Sequence, residues 1–317
     1  MAKVLGAVKP RLVVLGESEL WPNFLGECGR RGVPVAVVNG RISPRSVGRY
    51  AWIRPLVRWM FAGLKLAAVQ TDEHAAGFLA MGTQPGRARV TGNIKYDGSM
   101  TDRENAKTAD LRAALGVTPG DRIFVAGSTQ PGEESAALAA YLELKAKHPR
   151  LRLFLVPRAP ERFDEVARLL ESAGVEHARR SQGGTKADVV LVDTMGELGA
   201  LWGLAEIAFV GGSMDGKRGG QSMIEPAAFG AAVVFGPHVW NFKDTSRRLL
   251  EVGGAYQVAD GRELTATVAR LLDDEPERRA AGAAARAFVL AQQGATQRTL
   301  DLLDEAMTTA QPVSDAA

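Results

Sequence analysis

Short apolar, β-branched runs alternate with amphipathic stretches along most of the chain. The runs are Arg11–Leu15, Val33–Val38, Leu64–Gln70 and Ala88–Thr91, then Arg122–Ala126, Leu151–Val156, Asp188–Val192, Ile207–Val210, Ala231–Phe235 and Ala255–Val258. Between them apolar residues recur at helical spacing, as in Glu133–Lys147, Pro160–Ala173 and Gln221–Phe229. Near-continuous apolar strands separated by helices predict parallel sheets covered on both faces. The first run lies so close to Met1 that the pattern predicts no strand or helix before it.

A polar stretch from Asp97 to Thr118 opens with turn residues and ends in Pro119-Gly120, which marks a boundary. It predicts two Rossmann-like α/β domains facing each other across a cleft. Residues 1–100 form a first domain of four strands, too few for a complete unit of this kind. Residues 101–308 form the second, with a helical tail from Glu275 to about Thr308, and residues 309–317 fray.

Composition narrows this further. A length of 317 residues suits two cores. With 46% hydrophobic and 24% charged residues, disorder and fibrous repeats are excluded. A single cysteine, Cys28, excludes a disulfide framework and multi-cysteine clusters. His74, His148, His177 and His238 have no metal-ligand spacing, so no metal is expected. The net charge of +3 is unevenly spread: residues 1–100 carry 14 Lys/Arg against 6 Asp/Glu, and the remainder 25 against 30. A basic front half suggests an anionic partner; the alternative is an uneven solvated surface. The most apolar segment, Trp52–Val69, is interrupted by Arg54, Arg58 and Lys65, so no membrane span is expected. The start resembles no signal peptide. No basic stretch interleaves with aromatics, so no nucleic acid is expected. The chain reads as soluble and cytoplasmic.

Ligands of open α/β sheets bind beyond the carboxyl ends of strands, so the candidate chemistry is sought there. Gly127-Ser128-Thr129 precedes Glu133-Glu134; this is an anion or ribose site at a helix start, or ordinary capping. Pro157-Arg158-Ala159-Pro160 presents an arginine suited to a phosphate; the alternative is an ion pair with Glu161 or Asp164. Asp193-Thr194-Met195-Gly196-Glu197 opens a helix, and Met195 either packs on a flat base or joins the core. Gly211-Gly212-Ser213 and Gly219-Gly220-Gln221-Ser222-Met223-Ile224-Glu225-Pro226 flank a loop suited to phosphate, with Glu225 placed for a ribose diol; the alternative is glycine in a purely structural role. In the first domain Glu17 and Glu19 follow a strand; they are bases or stabilisers of sugar-ring charge, or helix N-terminal charge. Asn39 and Arg41 end the second strand, and Lys95 follows the fourth, where the cleft is expected. Lys95 would neutralise a phosphate or carboxylate there, with Arg41 as a second cation; the alternative for either is a surface charge.

Taken together, ESELWPN (17–23), NGRIS (39–43), TGNIKYD (91–97), VPRAPERF (156–163), DTMGEL (193–198), GGS (211–213), GGQSMIEP (219–226) and GPHVWNFKD (236–244) resemble the 3-deoxy-D-manno-octulosonic acid (Kdo) transferases of lipopolysaccharide synthesis. The resemblance implies a GT-B fold. It implies inverting transfer of Kdo from CMP-Kdo to a lipid A precursor, lipid IVA, at the cytoplasmic face of the inner membrane, with no cofactor. A basic face suits the anionic leaflet. It also implies that Pro157, Arg158, Met195, Gly196, Glu197 and Ser222 to Glu225 form the CMP site, joined by Ser128, Gly212, Ser213 and Gly220. Glu17 and Lys95, with Glu19, would stabilise the transition state, and Asn39 and Arg41 would hold the acceptor or sugar. Three departures stand out. Gln221-Ser222 replaces His-Asn of the family pattern, and Ala159 replaces its His. The family's opening segment, with an anchor and a Ser-Val-Gly-Glu motif thought to carry the general base, precedes the point where this chain begins, so a truncated start is expected. Competing readings are another GT-B enzyme, such as a UDP-sugar transferase or epimerase, and a non-catalytic nucleotide-binding protein. DTMGEL and ESELWPN argue against the first.

Overall fold

The computed structural model describes residues 2–42, 46–48, 53–183 and 187–308. Ser43, Trp52 and the tail 309–317 lie outside them. The chain forms two compact units: residues up to Gly98 together with those from Gln292 onward, and Ser99–Ala291.

Among the described residues the first unit holds a parallel sheet of four strands in the order β1 (Val13–Gly16), β2 (Val35–Gly40), β3 (Leu66–Val69) and β4 (Ala88–Val90). All four residues of β3 are buried, as a strand covered on both faces requires. The edge strand β1 alternates between half-buried and exposed positions. Helix Asp72–Met81 starts at Thr71, whose hydroxyl accepts from His74 N–H, with Asp72 and Glu73 against its positive end. Its Phe78 meets Phe61 edge to face at 5.8 Å in the core. Helix Ala2–Val8 stands where the pattern predicts no element. Only its Leu5 is buried, so it leaves little periodic signal.

Helix Ala295–Thr308 belongs with the first unit, where the pattern assigns it to the second domain. Local hydrogen bonds dock it. Asp97 accepts from the N–H groups of Gly294, at 2.7 Å, and Thr296, and Arg298 Nε donates to Thr91 O at 2.8 Å.

The second unit is a seven-stranded parallel sheet. Its strands are β5 (Arg122–Thr129), β6 (Leu151–Pro157), β7 (His177–Arg179), β8 (Val189–Leu191), β9 (Ile207–Val210), β10 (Ala232–Phe235) and β11 (Ala255–Gln257). The spatial order is β11-β10-β9-β5-β6-β8-β7. The chain winds outward from β5 through β6 on one side and through β9 on the other, so the strand order reverses between β5 and β9. In such sheets a crevice opens there, beyond the carboxyl ends. Helices Glu133–Lys145 and Gly261–Asp273 cover a core of Phe124, Leu153, Leu155, Phe209 and Val268. Gly127 is required: a Cβ there would lie 2.5 Å from the Trp202 ring. The pattern Gln221–Phe229 yields a helix only over Ile224–Ala228, because the glycine loop runs on through Met223. No helix among the described residues is long and apolar enough to cross a membrane.

Candidate active site

Because the sheet of the second unit is parallel, the carboxyl ends of β5, β6, β8 and β9 lie along one edge. Ser128, near the end of β5, is held at φ 55°, a left-handed conformation that costs a non-glycine residue free energy and is met at functional sites. Its hydroxyl has no hydrogen-bond partner among the described residues, and it does not cap the next helix, whose cap is Gly132.

At the end of β6, Arg158 donates its backbone N–H to Thr129 O. Its guanidinium is exposed and has no ion-pair partner among the described residues. The ion pair weighed as its alternative is not formed. Asp164 instead pairs with Arg179 at 2.8 Å, while Arg162, four residues on, makes a two-pronged pair with buried Glu134 at 2.6 and 3.1 Å. Pro157 is buried as the last residue of β6.

Beyond β8, buried Asp193 accepts from Arg179 Nε at 2.7 Å and from the Ser181 N–H and hydroxyl. Burial works against its charge, but these bonds outweigh it and hold the carboxyl below the usual range. Asp193 thus fixes the turn that carries Met195, Gly196 and Glu197. Met195 is 65% exposed and is no core residue. Gly196 has φ 85°, and Glu197 is taken up by Arg180, at 3.0 Å, and by the Thr194 hydroxyl.

The glycine loop after β9 differs most from expectation. Gly212 gives its N–H to Glu133, and Ser213 is fully buried. The Ser213 hydroxyl donates to Val210 O and accepts from Gly236 N–H, both at 2.8 Å. Neither group is left for a donor phosphate. The second pair, Gly219 and Gly220, has φ 79° and 82°, and a Cβ on Gly219 would lie 2.3 Å from the Trp240 indole. Met223 and Ile224 are core side chains, so they can offer a ligand only backbone. Ser222 and Glu225 remain half-buried. Burial pushes the Glu225 carboxyl up, against a hydrogen bond from Ser222.

In the first unit, Glu17, Arg41 and Lys95 come together from the ends of three strands. Glu17 Oε2 lies 3.2 Å from Arg41 Nη2, and Glu17 Oε1 lies 3.2 Å from Lys95 Nζ. Glu17 has φ 55° and binds Val38 O through its N–H, five residues ahead of the helix Pro22–Arg30, so it is not helix-end charge. Glu19 takes no part in these ion pairs and accepts from the Trp21 indole. Asn39 is buried at φ 54°; its Oδ1 accepts from Ile94 N–H at 3.2 Å. Its amide oxygen thereby shapes the Lys95 loop and is taken up within the chain.

Parallel sheets with helices on their faces and polar strand ends make a GT-B type α/β fold. UDP-GlcNAc 2-epimerase from Neisseria meningitidis, solved with UDP-GlcNAc, has this fold with a TM-score of 0.63 at 13% identity, over 96% of this chain and 79% of that one. The family model described as 3-deoxy-D-manno-octulosonic-acid transferase (kdotransferase) matches residues 1–98. The 3-deoxy-D-manno-octulosonic acid transferase of Bordetella pertussis is 38% identical over 306 residues, 93% of this chain and 69% of its own length. That of Haemophilus influenzae is 37% identical, over 95% and 71%. The C-terminal CMP-Kdo binding domain of WaaA from Acinetobacter baumannii is similar with a TM-score of 0.54 at 27% identity, over 58% of this chain and 96% of that domain. The chain belongs to the 3-deoxy-D-manno-octulosonic acid transferase family, a family of glycosyltransferases.

Proposed function

We propose that this chain takes CMP-Kdo as donor and passes Kdo, with inversion, to a lipid A precursor, lipid IVA, at the cytoplasmic face of the inner membrane. One observation carries the donor half: Arg158 holds an exposed guanidinium, unpaired among the described residues, at the end of β6. A nucleoside monophosphate leaving group needs such a two-pronged cation. The A. baumannii neighbour, named for CMP-Kdo binding, supports the same donor. Glu225 would take the ribose diol, and exposed Met195 would pack on the base.

As the bond from the anomeric carbon to the phosphate oxygen breaks, its electron pair leaves with CMP and the ring gains positive charge. Glu17 would offset that charge. Arg41 and Lys95, its ion-pair partners, would meet the carboxylate of Kdo. The acceptor hydroxyl attacks the opposite face, which inverts the centre, and its proton goes to a base outside the residues named. The donor arrives already activated, so no cofactor or metal is needed. The basic balance of residues 1–100 suits a peripheral position on an anionic leaflet.

Calorimetric titration of the chain with CMP and UMP tests the donor assignment. CMP should bind in the micromolar range and more tightly than UMP, and Arg158→Ala should weaken CMP about a hundredfold. Equal binding of UMP, or an Arg158→Ala variant that matches wild type, would remove the assignment.

A further inference from the structure

Glu133 lies outside every role assigned so far, yet it is 1% exposed and its carboxylate accepts four backbone N–H groups. Oε2 accepts from Gln130 at 2.8 Å and Gly212 at 2.7 Å, and Oε1 from Ser213 at 2.9 Å and Met214 at 3.0 Å. Burial pushes this carboxyl up, and the four donors pull the other way. Three consecutive N–H groups converging on one point form an anion-binding nest, the arrangement that cradles phosphate in glycine-rich loops. Here the nest already holds an anion, supplied by the chain itself from across the β5–β9 crevice.

We infer that Glu133 is a positioning residue of the donor site: its carboxylate fills the nest of Gly212, Ser213 and Met214, excludes substrate phosphate from it, and fixes the loop that carries the second glycine pair. This rests on the donor reading above. Gly211 is glycine for the same reason, because a Cβ there would lie 2.6 Å from Glu133 Oε2 and 2.7 Å from Ser128 O. The hold passes onward. Gly212 O accepts from Gly220 N–H at 2.7 Å, and Gly220 leads directly into Ser222 and Glu225. Ser213 O accepts from His238 N–H at 2.9 Å, which ties in the Gly236–Asn241 turn. A shift of Gly212 therefore moves the groups assigned to the ribose, although Glu133 touches no ligand. The donor phosphate is left to Arg158 and its neighbours.

The test uses the full chain, with CMP titration and peptide-resolved hydrogen exchange on the same samples. Glu133→Gln keeps the volume but turns an amide NH2 toward N–H donors. It should speed exchange across residues 211–218 and weaken CMP, each by about tenfold, while β5 and β6 stay protected. Unchanged exchange, or faster exchange with wild-type CMP affinity, overturns the proposal. If Glu133→Gln does not fold, two further variants decide. Gly211→Ala should copy the defect, and Glu133→Ala should regain CMP affinity when formate fills the vacated nest. A folded Gly211→Ala that binds CMP as wild type does, or an absence of formate rescue, overturns it. Should wild type itself not bind CMP, the donor reading fails, and so does the role in donor positioning. The exchange measurement then reports separately whether Glu133 holds the loop.

Discussion

Glu225 is half-buried beside Ser222, and desolvation makes its charged form costly in the folded chain. A carboxyl whose folded pKa is raised binds its proton more tightly in the native state than in the unfolded one. Its cost to stability is absent below the unfolded value, about 4.3, grows as pH rises to the folded value, and is constant above it. Glu225→Gln should therefore melt higher than wild type at pH 8, with the difference closing below pH of about 4. The same variant should bind CMP more weakly, the usual exchange of stability for function at a site. Equal melting curves at pH 8 would remove the buried-charge account. The sequence exposes such residues unequally. Arg158 stands out because two prolines frame it at a strand end. Ser213 and Asn39 carry the same polar signal, but the fold spends them on Gly236 and Ile94. Glu133 reads as helix N-terminal charge because three of its four partners lie some 80 residues onward, a distance no local pattern spans.

At the scale of elements, the apolar runs locate ten of the described strands, since a buried parallel strand writes itself as consecutive β-branched and aliphatic residues. The short edge strand β7, His177-Ala178-Arg179, writes nothing of the kind: each residue is half-buried and two are charged or polar. Helix Ala295–Thr308 is legible as a helix, but its docking is not, because that depends on Asp97 at its start and Arg298 reaching Thr91. Burial disfavours the Asp97 charge, but the bonds from Thr296 and Gly294 outweigh it and lower its pKa. The stability Asp97 adds is present above the unfolded value, about 3.9, and is lost as pH falls through the lower folded value. Asp97→Ala should cost about 1 kcal/mol at pH 7, as loss of a helix cap does. It should also speed hydrogen exchange at Thr296 to Arg298. Unchanged exchange there would show that Asp97 does not anchor the helix.

Over the whole molecule, folding redistributes the charge asymmetry seen along the chain. Residues from Gln292 onward bring one Arg and four Asp/Glu to the basic first unit, which then carries 15 Lys/Arg against 10 Asp/Glu. Ser99–Ala291 carries 24 against 26, so the unit with the candidate nucleotide site has no net attraction for an anion. Affinity for CMP must then come from groups within touching distance, where screening is weak, and not from the field of the unit. Raising ionic strength from about 0.05 to 0.5 M should accordingly weaken CMP binding by only about threefold, as expected for one or two direct phosphate contacts. In hydrogen exchange, CMP should slow the strand-end segments 127–130, 157–162, 193–198 and 219–225, and leave the β1–β4 sheet as it was. A salt dependence of two decades would mean that the anion is gathered by a diffuse basic surface, with Arg158 one contributor among many. Protection centred on Glu17 and Lys95 would move the nucleotide to the first unit.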